Sequence, residues 1–182
     1  MAVRLVALAA VFAVVALYCV FTARRLDKQH ARIDAAAAAL DAQLRKRSVS
    51  VSALIDELPA DRSGPLITAV SDAVAISGLA HDREVAENSL SSELERLAEE
   101  RPRIFLSPSA AAIDVHDDAL RASIARRFYN DTVRDALVIR DRRTVRWLRL
   151  AGRAPHPAYF EMDDDELPTP AISVARRHKV ER

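Results

Sequence analysis

Chemistry needs proton carriers, nucleophiles or metal ligands at fixed spacing. Five histidines are scattered along the 182-residue chain: His30, His81, His116, His156 and His178. None is paired with another His, or with the single Cys19, at a spacing that would hold a metal on a helix. A lone cysteine also excludes a disulfide within the chain. Carboxylates are frequent, but the E-x-x-H pattern of di-iron bundles is absent. With three glycines there is no phosphate-cradling loop, and no G-x-S-x-G elbow occurs. The expectation is a chain without catalysis, cofactor or metal.

Two polar features stand out against that background. "IARRFYNDTVRDALVIR", Ile124 to Arg140, has a helical rhythm but places Tyr129 and Asn130 side by side in its middle. Asn is a poor helix-interior residue unless its amide has a partner. It is either a binding site or a polar fastening between helices. Helical spacing sets Tyr129 on the inward stripe and Asn130 at its border, near Val133 and Leu137. A buried Tyr needs a partner for its hydroxyl, and Asn can bridge to a neighbouring helix. The fastening reading assigns Arg47, Arg126, Tyr129 and Asn130, with Arg47 or a carbonyl near it as the partner of Asn130. The second feature is basic. Arg134, Arg140, Arg142, Arg143, Arg146, Arg149 and Arg153 crowd one stretch. They are either a solvated helix end, interleaved with Asp135 and Asp141, or a surface for anionic lipid headgroups or an acidic partner. On the second reading Arg140, Arg142, Arg143, Arg146 and Arg149 make the contact. Nucleic acid is not expected, because net charge is only +1 and no reading motif is present.

The elements that must carry these residues are helices. Ala, Leu, Arg, Asp and Glu dominate, while aromatics are 5%. Arginine over lysine, with much alanine, points to a GC-rich bacterial genome. Leu5 to Thr22 is uncharged, long enough at ~1.5 Å per residue to cross most of a hydrocarbon layer, and Tyr18 suits the interface. A cleaved signal peptide fits less well, since no A-x-A pattern precedes Arg24. A lipoprotein is disfavoured by bulky Tyr18 before Cys19. Arg24, Arg25, Lys28 and Arg32 follow the span and only Arg4 precedes it, so the rest of the chain is expected in the cytoplasm.

After the span, Leu26, Ile33, Ala37, Leu40, Leu44, Val51, Leu54 and Leu58 fall at alternating spacings of three and four, with His30 and Arg47 in the remaining slots. Arg47 either snorkels outward or pairs with a carboxylate across the bundle. Pro59 should end this helix. A second helix is expected from Ser63 or Gly64, with Leu66, Val70, Ala73, Ile76 and Ala80 facing inward. "AHDREVAEN" reads as exposed helix or linker. A third helix carries Leu90, Leu94 and Leu97, with Ser92 and Glu95 as a capping box. Ile104, Phe105 and Leu106 should plug one end of the bundle. The fourth helix is expected from about Ile113–Asp117 to Leu150, with Asp114, Asp117 and Asp118 in its first turn and Ala125, Phe128, Tyr129, Thr132, Val133, Ala136, Leu137 and Ile139 facing inward. The tail is rich in proline and charge, but Tyr159 and Phe160 could dock back.

A single N-terminal span followed by "ARIDAAAAALDAQLRKR", "IARRFYNDTVRD" and "PHPAYFE" resembles the LemA family of bacterial membrane-anchored helical proteins. Arg47 stands at the arginine that closes the family's "qL.rR" stretch. Tyr129 and Asn130 stand at its "R..YN" motif, with Arg126 or Arg127 as the basic partner. "RDALVIRDRR" lacks the asparagine and proline that follow in the family, which marks a divergent branch. The resemblance implies an anchor and a bundle, not an enzyme. The combined expectation is an all-α chain: a short outer N-terminus (1–4), a transmembrane helix (5–23), an antiparallel four-helix bundle with long first and last helices (24–152) and a mostly disordered tail (153–182). Its partners would be the bilayer, anionic headgroups, and a protein partner or a second copy. The expected role is an interaction or scaffolding module at the bacterial inner membrane; the alternative is an envelope protein assembling through its coiled-coil seam.

Overall fold

The computed structural model describes residues 1–141 and 156–163. Their regular structure is all helical, with no strand among them. The first helix, α1, runs unbroken over Ala2–Asp56, 55 residues. No glycine or proline occurs before Pro59, so nothing interrupts the hydrogen-bond ladder. It closes with tightened turns in which Glu57 N–H donates to Leu54 O (3.1 Å) and Leu58 N–H to Ile55 O (3.0 Å).

Helix α2 spans Ala60–Ala75 and α3 spans His81–Glu100. Both begin earlier than the sequence suggests. Pro59, at φ −60° and ψ 140°, launches α2 directly, and Pro65 lies inside the helix rather than at its first turn. In the connection to α3, Gly78 takes φ +81°, a left-handed conformation that glycine adopts at no steric cost. Because α3 starts at His81, Ser92 lies mid-helix and is not a cap; its hydroxyl bonds to Asn88 O at 3.0 Å. The polar stretch around Arg83 is therefore the first part of α3. A single turn, α4 (Arg103–Leu106), leads to α5, Ala110–Arg140. Ser109 caps α5, its Oγ accepting Ala112 N–H at 3.2 Å. Asp118 consequently sits in the helix body and not in its first turn. The expected continuation to Leu150 lies outside the described residues.

The chain divides into two compact units. The first contains Met1–Ala36 and, on α5, residues from Asn130. Its α1 segment is the one helix among the described residues long and apolar enough to cross a membrane. Leu5, Val6, Leu8, Phe12, Val14 and Leu17 are all exposed, so the segment is apolar on every face and covered by no protein. Farther along, Ile33 and Ala36 of α1 and Val133, Ala136 and Ile139 of α5 are buried.

The second unit contains Ala37–Tyr129 and the segment from Phe160. Its core joins Val51 and Leu54 of α1, Leu66, Ala69, Val70 and Ala73 of α2, Leu90, Leu94 and Leu97 of α3, Phe105 of α4, and Ala112, Val115 and Ala119 of α5. Each large apolar side chain fully buried here contributes about 1.5–3 kcal/mol. The α1 seam is confirmed at Leu40, Leu44, Val51 and Leu54, while Ala36 rather than Ala37 is buried. Three side chains expected inside are outside: Ala80 and Leu106 are exposed, and Phe128 is 64% exposed. The buried line on α5 runs through Val115, Ala119, Ala122, Tyr129, Val133 and Ala136. Phe128 is one residue, about 100° of helical rotation, away from it. Arg126, half-buried, fills the slot between Ala122 and Tyr129.

Candidate functional site

The seam logic of α1 repeats on α3. Counting back from Leu97, Leu94 and Leu90 at helical spacing gives Glu87 and Arg83, and both side chains are fully buried. Arg47 occupies the corresponding seam slot of α1 and is also fully buried. The three charges meet. Arg47 donates from Nη1 to Glu87 Oε2 at 3.1 Å and from Nη2 to Ser91 Oγ at 2.9 Å. Arg83 Nε donates to Glu87 Oε1 at 2.8 Å, and its Nη1 lies 4.0 Å from Asp41 Oδ1. Arg83 also donates to the Ile76 carbonyl, placing a cation at the C-terminal end of α2, where the helix dipole favours it. One carboxylate thus bridges two guanidiniums from two helices, away from water. Such a cluster costs desolvation energy and is retained only when its hydrogen bonds are well made.

Residues 156–163 complete the site. Phe160 is fully buried and Met162 nearly so. The Met162 sulfur lies 3.9 Å from Arg47 Nη1. The backbone N–H of Glu161 donates to Glu84 Oε1 (2.8 Å) and that of Asp163 to Asn88 Oδ1 (2.9 Å). Phe160 docks as the sequence suggests; Tyr159, its neighbour, is 43% exposed.

A second polar cluster ties α1 to α5. Asp118 accepts from Ser50 Oγ at 2.5 Å, lies 3.0 Å from Lys46 Nζ, and accepts from Arg121 Nη1 at 2.6 Å. Burial alone would raise its carboxyl pKa. The hydrogen bonds from Ser50, Lys46 and Arg121, together with the Lys46 charge, outweigh burial and hold it below the ordinary value.

The residues assigned to a fastening from sequence are placed as follows. Arg47 pairs with Glu87, which spacing left as one of two alternatives. Tyr129 is buried, and burial together with the Glu84 carboxylate raises its phenol pKa above the ordinary value. Asn130 and Arg126 are half-buried. Tyr129 closes the second unit and Asn130 opens the α5 part of the first. Arg140 is half-buried at the last turn of α5; Arg142, Arg143, Arg146 and Arg149 lie outside the described residues. Sequence reasoning missed Arg83, Glu87 and Asp118. For the first two the signal was present, because the Leu90–Leu94–Leu97 stripe extends onto them without a break.

Among the described residues no group of three or more His, Cys, Asp or Glu side chains could hold a metal ion. A cleft of about 140 Å³ opens beside Leu66 of α2 and Leu97 of α3. On its rim Arg96 forms ion pairs with Glu93 and with Glu100 (3.2 Å), and Arg101 stands beside them. The dominant arrangement is therefore a dry ionic junction that pins helices in register. No protein-family model, curated protein or solved structure matches the chain.

Proposed function

We propose that this chain is a single-pass membrane protein of the LemA type, whose helical part is an antiparallel four-helix bundle acting as a non-enzymatic interaction or scaffolding module on the cytoplasmic side of a bacterial inner membrane. The observation that carries the reading is α1 itself. Its first segment is apolar on all faces and uncovered, and the same helix later inserts Arg47 into a buried ionic junction. An uncovered apolar helix of this length finds a low-energy environment in lipid. Connections of only a few residues between α1 and α2 and between α2 and α3, and a short one carrying the single turn α4 between α3 and α5, favour antiparallel neighbours. In an up-down-up-down order the end of the last helix returns toward the anchor, which would bring Arg140, Arg142, Arg143, Arg146 and Arg149 near anionic headgroups. Assembly of several chains through the α1 seam has less support, because Leu40, Leu44, Val51 and Leu54 are already buried within one chain.

Topology reporters fused after Arg182 test the proposal. A fluorescent protein there should be bright and a periplasmic phosphatase inactive, with the fusion in the membrane fraction. An active phosphatase overturns the cytoplasmic assignment, and a fully soluble fusion overturns the anchor.

A further inference from the structure

Four cations follow the apolar part of α1: Arg24, Arg25, Lys28 and Arg32. All four side chains are exposed, and no ion pair among the described residues engages any of them. Exposed arginines farther along the chain do pair with carboxylates three or four residues away, Arg45 with Asp41 and Arg96 with Glu93 and Glu100. Arg24 has Asp27 three residues on and does not pair with it. The four cations share one face. At about 100° per residue, Arg24, Lys28 and Arg32 advance by about 40° at each step of four, and Arg25 falls about 20° beyond Arg32. Together they occupy an arc of about 100°. Exposed Asp27 and Asp34 lie about 20° apart on a second face, centred about 120° from the cations. Buried Ile33 and Ala36 mark a third face, about 100° away on the other side.

We propose that this one-sided cationic face of α1 is a binding site for the phosphates of anionic phospholipids; it rests on the reading of the first segment of α1 as a membrane span. From Arg24 to Lys28 the helix rises about 6 Å, and a headgroup layer is about 5–8 Å thick on each side of the hydrocarbon. Arg32 stands about 6 Å farther out. Helical side chains lean toward the helix N-terminus, which along α1 is toward the bilayer, so the long Arg32 stem brings its guanidinium back to the phosphates. A guanidinium grips a phosphate through two parallel hydrogen bonds, and Lys28 adds a compact point charge. A zwitterionic headgroup carries its own cation, which this face repels; a net-anionic one is attracted throughout. The helix is unbroken from the apolar segment through the four cations, so no loop has to be ordered when a headgroup binds.

Cys19, the single cysteine, lies five residues before Arg24, so a fluorophore attached to it reports which lipids surround this end of the apolar segment. The full chain is reconstituted in phosphatidylcholine vesicles that contain a fixed fraction of one nitroxide-labelled lipid, either phosphatidylglycerol or phosphatidylcholine. The phosphatidylglycerol label should quench more, with a relative affinity of about fivefold, the size of one cation–headgroup contact. Arg24→Gln, Arg25→Gln, Lys28→Gln and Arg32→Gln together should bring the ratio to about one, while Asp27→Asn with Asp34→Asn should leave it at least as high. Raising salt about tenfold should lower the ratio in the unsubstituted chain, which keeps the test decisive if the fourfold variant misfolds. Equal quenching by the two lipids overturns the proposal and leaves the anchor standing. Quenching by neither overturns the anchor, and the proposal with it. A preference that survives the fourfold substitution overturns the site on α1, and its loss with Arg140→Gln and Arg142→Gln would assign the headgroups to the end of the last helix instead.

Discussion

Removing the carboxylate of Glu87 leaves two guanidiniums buried without their shared counter-charge. In the wild-type chain Glu87 receives Arg47 Nη1 at 3.1 Å and Arg83 Nε at 2.8 Å, and all three side chains are fully buried. After Glu87→Ala, Arg83 keeps the Ile76 carbonyl and Asp41 at 4.0 Å, while Arg47 keeps the Ser91 hydroxyl and the Met162 sulfur but loses its carboxylate. Breaking a buried pair from one side costs about 3–5 kcal/mol. For a chain of this size that lowers the melting temperature by roughly 6–20 °C. The paired experiment replaces all three charges together: Arg47→Met, Arg83→Met and Glu87→Leu. With no charge left to desolvate, this variant should match wild type or exceed it by about 1–4 kcal/mol. Thermal melts followed by far-UV circular dichroism, on the full chain in one detergent, measure both. A Glu87→Ala melt within about 1 kcal/mol of wild type would refute the reasoning. So would a triple variant as unstable as the single one.

Three further outcomes follow from the other polar groups. Asp118 has a folded pKa below its ordinary 3.8, so the folded state binds fewer protons there. Its stabilisation is complete above that value and is lost as pH falls through the folded pKa; acid melts of Asp118→Asn should lack this slope. Tyr129 has its pKa raised above 10.0, so its stabilisation is intact below that and is lost as pH climbs toward the folded value. Tyr129→Phe should remove that alkaline loss in urea titrations at stepped pH. Asn130→Ala should cost about 1–3 kcal/mol by stranding its polar neighbours, and an unchanged thermal melt would return the motif to a binding role.

Some of this architecture is legible in local sequence, and particular residues show why. Leu40, Leu44, Val51 and Leu54 announce their burial through spacing alone, because a helix turns by a fixed angle per residue. Pro59 announces the end of α1 because it offers no N–H to the ladder. Phe128 lies outside the stripe that its spacing suggests, because one residue of drift carries a side chain about 100° around the helix. Arg83 and Glu87 do not announce their burial, because charged residues in an apolar slot read as a break in the stripe. They continue it only when a partner from another helix offsets their desolvation.

The sequence by itself determined the apolar first segment, the helical character and the seam, since each is a property of neighbours along the chain. Tertiary structure decided which charges could be buried. Arg47 and Glu87 lie 40 residues apart, and Met162 lies 115 residues from Arg47. Whether a charge survives away from water depends on the group that meets it in space, and periodicity along one helix carries no information about that group. The same holds for Phe160 and Met162, which are buried on a segment whose intervening backbone N–H groups, of Glu161 and Asp163, bond to Glu84 and Asn88 of α3.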